Sequence, residues 1–366
     1  MSKDRRVVDI ALQGGGSHGA FTWGMLDRLL EEDCIEIEGI SGTSAGAMNA
    51  VALAQGLAQG SREAARECLE NYWTTVSDMA RMSPIRRSIW DKMAGRWSLD
   101  MSPSYILSQY FTRTFSPYQY NPLDINPLKD IVSSCFDFDM VNAADKPRLF
   151  LGATNVRTGR PKIFRQPEIT ADAVMASACL PFMFKAVEID GEAYWDGGYM
   201  GNPPLFPLID ETEARDIILV QINPFHRDKV PTTAAEIENR LNEITFNGSL
   251  IKELRSAAYL WELIHAENLD RAAYRDARLH MIGAEEEMQT LSASSKLNAE
   301  REFLLHLKEI GRRTADAWLS VNLDKIGHEK TWRPDFLFEE SLAPAHLGER
   351  QRVNRPSPFP GLAADK

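Results

Sequence analysis

Ile35-Glu36-Ile37-Glu38-Gly39-Ile40-Ser41-Gly42-Thr43-Ser44-Ala45-Gly46-Ala47-Met48-Asn49-Ala50-Val51-Ala52-Leu53-Ala54 reads as a strand that reverses directly into a helix. Apolar residues alternate up to Ile40, and the alanine-rich run from Ala45 to Ala54 favours a helix. At the reversal, Gly42-Thr43-Ser44-Ala45-Gly46 has the G-x-S-x-G spacing of a nucleophile elbow. The need for glycine on both sides of the serine is steric. So sharp a turn strains its apex residue, and neighbouring side chains would meet the crossing backbone. The hydroxyl then stands clear, with a helix N-terminus beneath it.

Upstream, Val7-Val8-Asp9-Ile10-Ala11-Leu12 reads as a first strand leading into Gln13-Gly14-Gly15-Gly16-Ser17-His18-Gly19. A helical pattern follows from Ala20 to Glu32, with Phe21, Met25, Leu26, Leu29 and Leu30 on one face. Gly14, Gly16 and Gly19 satisfy G-x-G-x-x-G, the spacing of a dinucleotide-binding turn. That use needs an acidic residue at the tip of the second strand. Here the tip holds Ser44, and Glu36 and Glu38 lie inside the strand. The other use of such a loop is an oxyanion hole built from unobstructed backbone N–H groups. A glycine loop after strand one and an elbow after strand two would meet at the same sheet edge.

Downstream, helical stretches from Arg62 to Val76 and from Ser104 to Phe115 flank a segment rich in Met, Trp and Arg, from Met79 to Met101. It reads as a helical insertion packed on the sheet or as a lipid-facing cap. Strand patterns resume at Leu149–Val156 and Lys162–Arg165, and a short helix is expected over Ala171–Cys179. Val187 to Trp195 reads as a hairpin turning at Asp190-Gly191, which delivers Asp196-Gly197-Gly198 and then Asn202-Pro203. Asp216 to Asn223 is a buried strand pattern. Beyond it come a long helix from about Ala234 to Tyr274, a strand at Leu279–Ile282, a helix at Asn298–Leu319, and a proline-containing tail expected to be extended or disordered.

The 366 residues suffice for one large domain, and a hydrophobic content of 44% supplies its core. A net charge of −11 argues against a nucleic-acid partner. Cys34, Cys68, Cys135 and Cys179 show no metal-ligand or redox spacing and read as free thiols of a reducing compartment. Neither a signal peptide nor a membrane-length apolar run is evident, so the expected location is the cytoplasm, with any membrane contact peripheral, at the inner membrane.

A serine on an elbow needs a group to take its proton. His226 follows a strand and fits the chain order of a Ser-Asp-His triad, but only its position recommends it; a surface role is the simpler account. Asp196, ahead of two glycines, reads either as a carboxylate held at a sharp turn or as an ordinary Asp-Gly turn. Four blocks taken in order resolve this: the glycine loop, the elbow, Ala176-Ser177-Ala178-Cys179-Leu180-Pro181-Phe182, and Asp196-Gly197-Gly198 with Asn202-Pro203. Together they resemble the patatin-like phospholipase family, of the bacterial type.

The resemblance implies an α/β fold of three layers, with a mostly parallel central sheet flanked by helices. The composition and helical pattern add an insertion over about 61–126 and a helical extension over about 232–325, and residues after about 230 fall outside the family blocks. It implies a serine lipid acyl hydrolase working without metal or cofactor, with Ser44 as nucleophile and Asp196 as base. Backbone N–H groups of Gly14, Gly15, Gly16 and Ala45 become the oxyanion-hole candidates. The family usually carries Arg or Lys where this chain has His18, which makes His18 a candidate anion or substrate contact. The implied partner is a lipid or another acyl ester, with neutral lipid, a hydroxyacid polyester or a silent lipid-binding role as alternatives.

Overall fold

Alternating β-rich and helix-rich segments at the start of the chain produce a parallel sheet, because each right-handed crossover returns the chain to the same edge. A computed structural model describes residues 5–266 and 276–332. Its first elements are Arg6–Leu12 (β1), Gly19–Leu29 (α1), Ile35–Gly42 (β2), Ala45–Ala58 (α2) and Arg62–Ala80 (α3). Short helices follow at Ile89–Met93 (α4), Pro103–Thr114 (α5), Pro117–Tyr120 (α6), Pro127–Cys135 (α7) and Phe138–Ala143 (α8). Next come Arg148–Asn155 (β3), Pro161–Arg165 (β4), Ala171–Ser177 (α9), Val187–Ile189 (β5), Glu192–Asp196 (β6) and Phe206–Glu211 (α10). The described part closes with Asp216–Gln221 (β7), Ala234–Ala266 (α11), Arg278–Gly283 (β8), Glu285–Gln289 (α12) and Arg301–Asn322 (α13).

The strands form one sheet in the order β5-β6-β3-β2-β1-β7-β8, with β4 also paired to β3. The run β3-β2-β1-β7-β8 is parallel; β4, β5 and β6 make antiparallel pairs on one side. The expected hairpin partners and the late strand therefore take their places in a mixed sheet with a parallel centre.

Side chains on β1 divide the core in two, as the two-residue period of a strand requires. Val8, Ile10 and Leu12 join the larger cluster with α1, α2, α3 and α13, while Ala11 joins a smaller one with Leu208, Ile217, Leu219, Leu250 and Leu254. Helices thus cover both faces, which gives the expected three layers.

The segment expected as an insertion has two characters. Helix α3 buries Ala65, Leu69, Tyr72 and Trp73 against the core and is part of the main helical layer. Helix α5 buries none of its residues. Helices α7 and α8 carry no clear sequence signal; α7 is anchored by Ile131 and Val132, and α8 by Val141. Toward the C-terminus, β8 extends the sheet beside β7, and α13 lies along α1. Their junction is locked by Asp216, which accepts from Arg278 at 2.6 Å and pairs with His280 at 2.9 Å. Burial opposes ionisation of Asp216, but His280, Arg278 and the Gly327 amide outweigh it and hold its pKa well below the usual carboxylate range. The expected tail from residue 333 onward, and residues 267–275 of the expected long helix, lie outside the described residues.

Candidate active site

Strand register brings the motifs together. Leu12, the last residue of β1, lies opposite both Gly42 of β2 and Val220 of β7, so the glycine loop and the elbow leave the sheet side by side. This carboxyl edge, where the chain order reverses across β1, is where open α/β sheets place their ligands. Ser44 has φ 56° and ψ −123°, a conformation that costs a non-glycine residue about 1–3 kcal/mol. Surrounding bonds hold it there: Ser44 N donates to Ser177 Oγ at 3.0 Å, and Thr43 Oγ1 donates to the Gly201 carbonyl at 2.7 Å. Gly46 is required because a Cβ there would stand 2.1 Å from the Leu12 carbonyl oxygen.

Asp196 ends β6 opposite Ala153, just past the β3 residue that pairs with Gly42. Its amide donates to the Cys179 carbonyl at 2.8 Å, and its carbonyl accepts from Thr154 Oγ1 at 2.8 Å. One carboxylate oxygen, Oδ1, accepts from Gly198 N at 2.7 Å. The other, Oδ2, is buried and has no hydrogen-bond partner among the described residues. A buried carboxylate oxygen left open in this way is costly unless a proton or a substrate step uses it. Burial pushes the Asp196 pKa up to about 7, against the opposing effects of the Gly198 amide, the Ser44 hydroxyl and the charge on Lys296. Ser44 is thus close enough to influence Asp196, although no formed hydrogen bond closes Oδ2. Such contacts commonly tighten only when substrate binds.

The glycine loop is fixed from beneath. Gln13 Oε1 accepts from Ile222 N at 2.7 Å and Asn223 N at 2.9 Å, and Asn223 Nδ2 donates to the Gly14 carbonyl at 2.9 Å. Gly14 N donates to Asn202 Oδ1 at 2.6 Å. That bond takes Gly14 out of the expected set of oxyanion donors and makes it a support. The amides of Gly15, Gly16 and Ala45 have no acceptor among the described residues. Gly16 has φ +59°, and a Cβ there would fall 2.4 Å from the Lys296 carbonyl oxygen, so the loop is pressed against a segment far along the chain.

Ser44, Asp196 and Gly14 to Ser17 open onto a cavity of about 700 Å³. Its walls are mostly apolar, including Met48, Tyr72, Trp73, Leu128, Leu180 and Phe184. One face of α11 closes it with Glu238, Asn239, Asn242 and Phe246. Lys296 and Arg113 are its basic side chains, and Arg113 is paired with Glu238.

The sequence model described as Patatin-like phospholipase matches residues 10–209, more than half of the chain. The chain belongs to the patatin-like phospholipase family. Comparison with curated protein sequences finds no match. Among solved structures, the chain is similar to VipD from Legionella pneumophila at 14% identity and a TM-score of 0.37, over 84% of this chain and 67% of that one.

Neither His18 nor His226, the two histidines weighed for the site, lines the cavity of this patatin-like protein with Ser44. The Nε2 of His18 meets Ser295 Oγ at 2.7 Å, and its ring packs edge-on against Phe303. Burial, with Lys296 and Arg227 adding repulsion, holds its pKa well below the ordinary value, so the ring is neutral. The placement of His18 is that of a packed core side chain. His226 is exposed and lies 3.4 Å from Asp228. Sequence reading passed over Ser177, which steadies the elbow, and Asn202, which braces Gly14, although both stand inside quoted blocks. It also passed over Lys296 and the α11 face, which lie outside the matched region and carry no motif. Among the described residues, no cluster of His, Cys, Asp or Glu is arranged to hold a metal ion, and no helix is long and apolar enough to cross a membrane.

Proposed function

We propose that this protein is a serine lipid acyl hydrolase in which Ser44 and Asp196 form the catalytic dyad. The observation that carries the reading is the buried, unsatisfied Oδ2 of Asp196 beside a serine on a strained elbow. A carboxylate with an ordinary pKa near 4 is a weak base for a hydroxyl; one near 7 is far better matched to neutral pH. In the first step Ser44 Oγ attacks the ester carbonyl while its proton passes to Asp196. Negative charge develops on the carbonyl oxygen, where the amides of Gly15, Gly16 and Ala45 can donate to it. The tetrahedral intermediate collapses, the alcohol leaves with a proton from Asp196, and an acyl-serine remains. Water, deprotonated by Asp196, then releases the acid and restores Ser44.

The apolar cavity suits an acyl chain. Ile106 and Tyr110 both line it and face solvent, at 56% and 64% exposure. On the same helix Leu107 and Phe111 are also exposed, as are Leu123 and Ile125 further along the chain and Arg81, Arg86, Lys92 and Arg96 on the preceding segment. Apolar side chains near cations match an anionic lipid surface, so the expected membrane contact is peripheral and located at the cavity mouth.

A fluorophosphonate probe tests the dyad. The expected result is labelling of the native chain at Ser44, abolished in Ser44→Ala and greatly slowed in Asp196→Asn. An unlabelled native protein, or rapid labelling of Asp196→Asn, would overturn the assignment.

A further inference from the structure

Lys296 is an unusual cation. Its side chain is half-buried and lines the cavity. Two of its three N–H donors go to neutral acceptors, Asn223 Oδ1 at 2.9 Å and Asn242 Oδ1 at 3.0 Å. The Phe246 ring lies 6.0 Å away, at the outer limit of a cation–π contact. Among the described residues no carboxylate lies within ion-pair distance of it: Glu243 and Asp196 act on it from further off, and Glu243 is held by Arg227 and by Arg240 at 3.2 Å. The other basic group of the cavity, Arg113, is already neutralised by Glu238. A largely desolvated ammonium with no carboxylate in direct contact is costly, and the mostly apolar walls of the cavity beside it offer few acceptors in return. A ligand anion would supply the third acceptor and a negative charge in direct contact.

We propose that Lys296 is an anion-recognition residue of the cavity, selecting acyl esters that carry an oxyanion group, phosphate or carboxylate, close to the reacting carbonyl. The inference rests on the acyl-hydrolase reading for its substrate, but anion binding itself can be measured without turnover. Placement supports it. The Lys296 carbonyl lies against Gly16, and its side chain ends on Asn223, which braces Gly14, so an anion on Nζ would sit beside the glycine loop. The charge comes from a segment beyond the family-matched residues, while His18 within the loop is neutral. Burial lowers the Lys296 pKa to about 8, so the group is largely charged at neutral pH and loses its charge above that value. The groups around it are Asp196 from β6, Glu243 and Arg240 from α11, Arg227 from the loop after β7, and neutral His18.

The test compares binding of octyl phosphate, octanoate and octanol by calorimetry to the full chain and to Lys296→Met and Lys296→Arg. Native protein is expected to prefer an octyl anion over octanol by at least about ten-fold, as one charge-assisted hydrogen bond allows. Lys296→Met should abolish that preference while still binding octanol, and Lys296→Arg should restore much of it. Comparing octyl phosphate with octanoate separates phosphate from carboxylate as the recognised group. The preference should decline as pH is raised above about 8. No preference in the native protein, or equal loss of anion and alcohol binding in Lys296→Met, would overturn the inference; the second outcome would make Lys296 a brace for the glycine loop. In parallel, the ratio of kcat/KM for octanoyl glycerol phosphate to that for octanoyl glycerol should fall about ten-fold in Lys296→Met. Anion preference without hydrolysis of either ester would sustain the inference and sink the dyad instead.

Discussion

The elbow with its glycine loop and the segment from residue 81 to residue 126 are opposite solutions to contact with a substrate. In the first, position is set by backbone: strand register, a strained serine, and carbonyl oxygens where side chains would clash. In the second, α5 has no buried residue and its apolar side chains face outward. Chemistry needs atoms held to fractions of an ångström, and backbone braced on both sides provides that. Capture of a flexible acyl chain needs apolar area that can rearrange, which exposed Met, Leu and aromatic side chains supply. Substitutions in the first region should therefore destroy turnover, whereas those in the second should shift access.

The largest effect is expected from Ser44→Ala and Asp196→Asn, each lowering kcat by about three orders of magnitude or more on any acyl ester. Gly46→Ala comes next, since its methyl would meet the Leu12 carbonyl; a loss of several kcal/mol in stability, read by denaturant melts, is expected along with activity. If that variant stayed stable and active, the backbone account of the elbow would be wrong.

pH offers a third test. Because Asp196 must be ionised to act as base and its pKa is about 7, kcat/KM should rise with pH through neutrality. The stability effect has the opposite sign. A carboxyl whose folded pKa lies above its unfolded value binds more protons in the folded state, so it lowers stability as pH rises from about 4 to about 7 and holds that cost above. Asp196→Asn should consequently melt at a higher temperature than the native protein at pH 8, by roughly 2–4 kcal/mol of stability, and much less so at pH 4. A gain of the same size at both pH values would detach the effect from ionisation.

Smaller effects belong to the second region. Leu107→Asp and Phe111→Asp should weaken co-flotation with vesicles containing anionic lipid, with no change in melting temperature, since both side chains are exposed. Loss of fold in either variant would mean that α5 is structural after all. The smallest effect is expected from His226→Ala, whose activity should stay within about two-fold because the ring is exposed beside Asp228.

What could be read from the chain alone follows the same division. The turns that carry Ser44 and the loop glycines were legible because tight turns admit few residue types, so geometry leaves a local signature, whereas Asp196 in an ordinary Asp-Gly turn stood out only from four blocks read in order. Gly14 was legible as a loop residue but not as a support: its amide is taken by Asn202 Oδ1, a partner 188 positions away. His18 seemed poised for an anion because a one-dimensional motif cannot say which way a ring turns; Ser295 decides that. Lys296 left no trace, because one lysine among 41 basic residues becomes special only through Asn223 and Asn242. Helices α7 and α8 were missed for a related reason. Both are short and rest on a few buried contacts, with too few turns for a helical period to show.

The pressure of Lys296 on Gly16, and of α13 on α1, also has a consequence in time. Translation delivers the chain from its N-terminus. A ribosome that has synthesised as far as residue 224 has already produced the glycine loop, the serine and Asp196, yet neither the segment that clamps the loop nor the helix that backs it exists. Assembly of the reactive centre must therefore wait for residues near 296 and beyond, so a truncated or stalled product would hold every motif without the packing that gives those motifs their geometry.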